Sequence, residues 1–377
     1  MQTMTHRTLQ LALVLLFAGV LSLEAYAQGC VAIRHFSCGG NGLSAALLNP
    51  GDLTVGTSYR YFKSFRHFSR RTEHPDRVAN HTEVINYAHA LDLTVSYAIS
   101  SRMYAAFTLP FVINERSSLY EHGRSERYSS FSRGLADIRV GLGYWLLNPV
   151  AHPNFNMAVG LGLKLPTGDY NATDLFYNVG VEAHPEVRPV DQSIQPGDGG
   201  FGFTLDFQIY QRLLDALSWY GNAFYLLNPR ETNEIRTFRE TLSPILANES
   251  IMSVPDQFAL RFGLNYALPV TGASASMGVR YEGVPVEDLL GGSQGFRRPG
   301  SVFSVEPGFS YMVNNVSLNL SVPVAVIRNR PQSVTDRETE QLTGNPRNGD
   351  AAFADYLINV GFTYRLSGRR QPIPATF

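Results

Sequence analysis

The spacing between strand-like segments constrains this chain more than any other feature. Apolar and polar residues alternate with a period of two through about twelve segments, the pattern of strands with one apolar face. The segments are residues 53–62, 84–99, 102–113, 135–146, 156–165, 201–212, 217–227, 257–268, 273–282, 302–313, 316–327 and 355–366. Their connections run short and long in strict alternation. Those around 100–101, 148–149, 213–216, 269–272 and 314–315 are short, and those at 63–83, 114–134, 166–200, 228–256, 283–301 and 328–354 are long and polar. A soluble sandwich has no reason to sort its connections this way, whereas an outer-membrane barrel has short periplasmic turns and long extracellular loops. The expected fold is all-β, a transmembrane antiparallel up-and-down β-barrel of about 12 strands.

Composition excludes the main alternatives. A mean hydropathy of -0.10 is too polar for a bundle of membrane helices. Beyond residue 27 no apolar run reaches the roughly 18 residues that a helical span needs. The formal net charge is -1, which gives no basic surface for nucleic acid. Arg7, the apolar stretch 11–23 and Ala25-Tyr26-Ala27 form a secretory signal peptide, residues 1–27. Export and a barrel together point to the cell outer membrane, with lipid and lipopolysaccharide as partners and the oligomeric state left open.

Residues 28–52 form an N-terminal periplasmic segment in which Cys30 and Cys38 are expected to close a small disulfide loop. Lipidation of Cys30 is the rival, although Ala27 stands where a lipoprotein signal has Leu, and a metal site has only His35 nearby. Val31, Ile33, Phe36 and Leu47 suit a cap packed on the periplasmic mouth. The barrel itself is expected over 53–366. A tail, 367–377, follows, in which Pro372 and Pro374 prevent regular pairing.

Energetics orient the wall. An ionised Arg or Lys facing lipid at mid-membrane costs about 2–4 kcal/mol, so charges belong in the lumen. The polar columns place Arg60, Asp92, Arg139, Lys164, Asp206, Arg261, Arg280, Glu306 and Arg365 as lumen-lining residues. Arg60, Arg139, Arg261 and Arg280 would favour anions if they line a conducting path. Aromatic residues near strand ends, among them Tyr97, Tyr144, Tyr266 and Tyr364, suit interfacial girdles.

Signals for chemistry are weak. His89 lies on the apolar column, where a lipid hydrolase could place a base, but position 91 is Leu and no Gly-x-Ser-x-Gly elbow occurs. The glycine-rich stretch 291–300 lacks a Gly-Lys-Ser/Thr ending and reads as a turn-rich loop whose Arg297 and Arg298 attract anions. Asp191 and Asp198 are candidate cation ligands without regular ligand spacing. No catalytic residue, metal or cofactor is assigned, and the chain is not expected to be an enzyme.

Two motifs carry a resemblance. Gly134-Leu135-Ala136-Asp137-Ile138-Arg139-Val140-Gly141-Leu142-Gly143-Tyr144 and Gly160-Leu161-Gly162-Leu163-Lys164-Leu165-Pro166-Thr167-Gly168-Asp169 resemble the paired hallmark of a Gram-negative outer-membrane transporter family named for the meta-pathway of phenol degradation. Ala136 stands where its members usually have Gly. The resemblance implies a barrel that passes small, poorly soluble organic molecules passively. The competing readings are a structural or adhesive surface barrel with a filled lumen and, third, an outer-membrane lipid hydrolase.

Overall fold

Residues 49–239 and 242–366 are described by a computed structural model. The proposed Cys30–Cys38 bridge, the proposed signal peptide, nearly all of the proposed cap and the tail 367–377 lie outside the described residues.

Twelve antiparallel staves follow one another around a closed sheet. They are Leu53–Ser69, Ile85–Ala98, Met103–Ser118, a fourth in two pieces (Tyr128–Leu135 and Arg139–Trp145), Phe155–Lys164, Gly202–Arg212, Leu217–Leu227, Gln257–Ala267, Ala273–Val284, Gly300–Val313, an eleventh in two pieces (Val316–Ser321 and Val324–Asn329), and Ala351–Leu366. The last stave pairs with the first from Leu53↔Leu366 to Phe68↔Ala351, so no edge is left open. In hydrocarbon every backbone N–H and C=O needs such a partner, and closure supplies it.

The period-two pattern sorts the two faces as the energetics require. Along the second stave Leu91, Val95 and Tyr97 are exposed on the outside, while Asp92, Thr94 and Ser96 turn inward and are partly covered. The same sorting puts Leu260, Phe262 and Leu264 outside and Ala259 and Arg261 inside. No described helix is long and apolar enough to cross a membrane.

Several long connections expected to be loop are partly strand. The first stave runs to Ser69 rather than Phe62, the third to Ser118 rather than Ile113, and the last begins at Ala351. These extensions rise above the lipid, where the outward face need not be apolar, so Asn114-Glu115-Arg116-Ser117-Ser118 carries no alternation to read. A helix, Val334–Thr343, caps its start with Ser333 and Asp336 and forms part of the extracellular mouth.

The fourth stave breaks because of its neighbour. Pro110 sits in the third stave without an N–H to donate, and opposite it the pairing jumps from Phe111↔Leu135 to Thr108↔Arg139. Three residues therefore face two, a bulge at Ala136-Asp137-Ile138, with the Ala136 N–H donating to the Pro110 carbonyl at 2.8 Å. Ala136 is fully buried against Ala90 and Val112.

Candidate functional site

The bulge makes the site, because it turns the Asp137 carboxylate into the lumen. Asp137 accepts from the backbone N–H of Gly168 at 3.0 Å and of Asp198 at 3.2 Å. The Lys164 ammonium lies 3.6 Å from Asp137 and bonds Asp198 directly. Thr167 ties the same corner, its hydroxyl accepting from Ile138 N–H at 2.9 Å and donating to the Ala136 carbonyl at 3.2 Å. Gly168 and Gly197 meet backbone to backbone, and a Cβ on Gly197 would lie 2.6 Å from the Gly168 carbonyl oxygen. The two hallmark motifs thus anchor the connection 165–201 inside the barrel.

That connection then crosses the lumen. Asn114 donates to the Ile194 carbonyl at 3.1 Å on one side, and Gln192 donates to the Ser253 carbonyl at 2.6 Å on the other. Asp191 is fully buried and accepts two bonds of 2.6 Å from Arg298, with Arg116 at 3.5 Å. Burial alone would raise the Asp191 carboxyl, but the Arg116 and Arg298 guanidiniums hold it well below the usual carboxylate range. Arg116 also bonds Glu121 at 2.8 Å through Nε. There burial outweighs the attraction of Arg116 and pushes the carboxyl up. The inward fold divides a chamber of 120 Å³ below it from an outer vestibule of 680 Å³, and Arg298 lines both.

Below this lid the columns expected to line the lumen carry charges that face one another across adjacent staves. Arg261 stands directly opposite Arg280, and Arg139 opposite Lys164. Like charges in that register repel, and acids from neighbouring positions offset them. Glu306 accepts two bonds of 2.8 Å from Arg261, and Glu282 accepts bonds of 2.8 and 2.7 Å from Arg280. Arg139 and Asp206 line the same small void of 20 Å³ with Tyr104 and Phe224. Arg60 donates to Asn359 at 3.2 Å, one Asp92 oxygen is buried without a hydrogen-bond partner, and Arg365 stands near the periplasmic end opposite Thr54. Four uncompensated arginines are therefore not what the lumen presents: Arg261 and Arg280 are each neutralised by a bidentate carboxylate.

The glycines of the hallmark motifs have a second use. Tyr104 lies flat on Gly143, so close that a Cβ there would sit 2.1 Å from its ring. Tyr104 packs with Trp145, Ala158 and Tyr210 into an inward-facing aromatic cluster near the short turns.

One expectation is corrected by these contacts, and the lesser alternatives at Asp191, Asp198 and His89 are disfavoured. Arg297 is not offered to anions, being buried on Asp288 at 2.9 Å through Nη1. Asp191 and Asp198 are not cation ligands, because each is held by a cation of the protein itself. His89 has Tyr59 as its partner, Nδ1 to the phenol oxygen at 2.7 Å, and rests against the Tyr61 ring, which is the geometry of an interfacial anchor. Sequence reasoning missed Asp137, Arg116 and Glu121. Asp137 stood within the quoted motif and could have been found there. The other two sit in a polar stretch that gives no sign of burial.

A closed, lipid-faced barrel with an ion-paired interior and a folded-in extracellular loop defines an outer-membrane β-barrel protein of the cell outer membrane. Residues 96–335 match the family described as "Putative MetA-pathway of phenol degradation", and the chain belongs to it. Among solved structures, an outer membrane channel from Pseudomonas putida F1 superposes with a TM-score of 0.57 at 12% identity, covering 88% of this chain and 100% of that one. This likeness establishes the shared fold. The Pseudomonas putida toluene transporter TodX matches more loosely, at 0.41 and 9% identity over 90% of this chain and 96% of its own. No curated protein matches the chain.

Proposed function

We propose that this barrel passes small organic solutes across the outer membrane passively, along a path that runs from the vestibule past Arg298 into the lumen. The observation that carries the reading is a string of spaces sharing lining residues. The vestibule and the chamber share Arg298, the chamber and the next void share Arg139, and that void and the one beside it share Asp206, Gln208 and Phe224. Phe62, Leu226 and Pro196 give the chamber apolar wall beside its charges, which suits solutes of low solubility. Membership of the family supports the same class of cargo.

The deeper voids are only 20 and 10 Å³, about the size of a water molecule. That observation favours the second reading, a surface barrel with a filled lumen, unless side chains such as Tyr104 swing aside. Planar-bilayer conductance and proteoliposome swelling with small organic solutes separate the two. Ion flow and solute entry support passage. A silent barrel that also excludes every solute overturns it in favour of the filled lumen.

A further inference from the structure

The vestibule of 680 Å³ has an asymmetry that passive passage alone does not require. Six arginines line it, Arg77, Arg116, Arg124, Arg188, Arg239 and Arg298, against two acids, Glu121 and Asp350. The carboxylates that pair the remaining arginines, Asp191 at 2.6 Å from Arg298, Glu249 at 2.7 Å from Arg239 and Glu186 at 2.7 Å from Arg188, do not line the cavity. Guanidinium groups thus lie between the open space and their counter-charges. The groups that face the space are thus mostly cationic, even though the cluster as a whole is nearly neutral.

Arg124 strengthens the bias. It is exposed, and among the described residues it makes no ion pair and has one ring contact, with Tyr120 at 5.7 Å. The turn holding it places Arg124 at φ 65, with its N–H bonded to the Leu119 carbonyl at 3.1 Å, so a cation is presented at the rim from a fixed backbone. Apolar side chains line the same space among the guanidiniums: Val179, Leu242 and Leu246, with the Tyr120 ring under Arg77 and Arg124 and the Phe238 ring under Arg239. A volume of this size, lined by guanidiniums and by apolar side chains and rings, fits a small ligand that has an anionic head and an apolar body.

We propose that the vestibule is a capture site for small amphipathic carboxylates, such as aromatic monocarboxylates, and that Arg124 is a specificity-determining contact for the carboxylate. The proposal rests on the passage reading for its biological use but not for its chemistry. Bound there, the carboxylate would next meet Arg298, the residue shared with the chamber beneath.

The test is equilibrium binding of benzoate and of its uncharged counterpart benzyl alcohol to the full-length folded protein in detergent. Benzoate should bind more tightly than benzyl alcohol, and its affinity should fall as salt is raised. Arg124→Gln should weaken benzoate by about tenfold, the loss of one charge-assisted contact, and leave benzyl alcohol unchanged, while Arg124→Lys should keep most of the affinity. Should a variant fail to fold, as judged by loss of heat-modifiable gel migration, the salt dependence of the unaltered protein still decides. Equal affinity for the two probes, or benzoate binding indifferent to salt and to Arg124→Gln, overturns the proposal and leaves conductance and the passage reading intact. Charge-selective binding by a barrel that is silent in bilayers and excludes solutes does the reverse, supporting the capture site and removing the passage reading.

Discussion

The wall of this barrel and its extracellular mouth are built from the same chain by different physics. In the wall, partners are adjacent staves, the backbone ladder satisfies every neighbour in turn, and the outward residues need only be apolar. In the mouth, partners are distant and charged. Arg298 and Asp191 are 107 positions apart, and Asn114 reaches across 80 positions to Ile194. Specificity therefore resides in the mouth. The wall tolerates any apolar residue of suitable size on its lipid face, whereas the mouth depends on particular charges finding one another.

The largest test of this contrast lies on the inner face of the wall, where it borrows the chemistry of the mouth. Glu306→Ala strands the Arg261 guanidinium, itself only 7% exposed, without its bidentate partner. A loss of about 3–5 kcal/mol is expected from an uncompensated buried charge, measured as urea unfolding of the protein in lipid vesicles. A loss below about 1 kcal/mol would mean that water in the lumen already solvates the arginine.

Next in size is a change on the opposite face nearby. Leu264 points outward three positions beyond the inward Arg261, and Leu264→Arg should cost about 2–4 kcal/mol in the same assay. An unchanged midpoint would place this stretch outside the hydrocarbon and redraw the periplasmic edge of the wall.

Smaller effects belong to the mouth, where two carboxylates share Arg116 and are expected to behave oppositely. Asp191 is held below its ordinary range, so its ionised form stabilises the lid at neutral pH. That contribution is present above the unfolded carboxylate range and is lost only as pH falls through the depressed folded value. Asp191→Asn should therefore loosen the 191–200 segment by about 1–3 kcal/mol, read as faster protease cleavage there with little change in global unfolding. Glu121 is raised by burial, so its contribution is greatest below the unfolded value and is lost as pH rises through the folded one. At neutral pH Glu121→Gln should change lid protection by less than about 0.5 kcal/mol or improve it. Equal damage from both substitutions would show that Arg116 needs two negative charges.

The barrel is legible in the amino-acid sequence. Period-two alternation at 84–99 and the sorting of connections into short and long follow from a lipid solvent that accepts only apolar side chains and no unpaired backbone, and such a local rule leaves a local trace. The sequence also placed Arg261, Arg280 and Glu306 on the inward column, because column membership is parity along one strand. Tertiary structure alone decided which of those charges neutralise each other, that Pro110 forces the bulge aiming Asp137 inward, and that the connection 165–201 folds into the lumen instead of standing in water. Range separates the two. Lipid acts on each residue separately, while an ion pair between Asp191 and Arg298 exists only once closure of the sheet has brought the two loops over the same mouth.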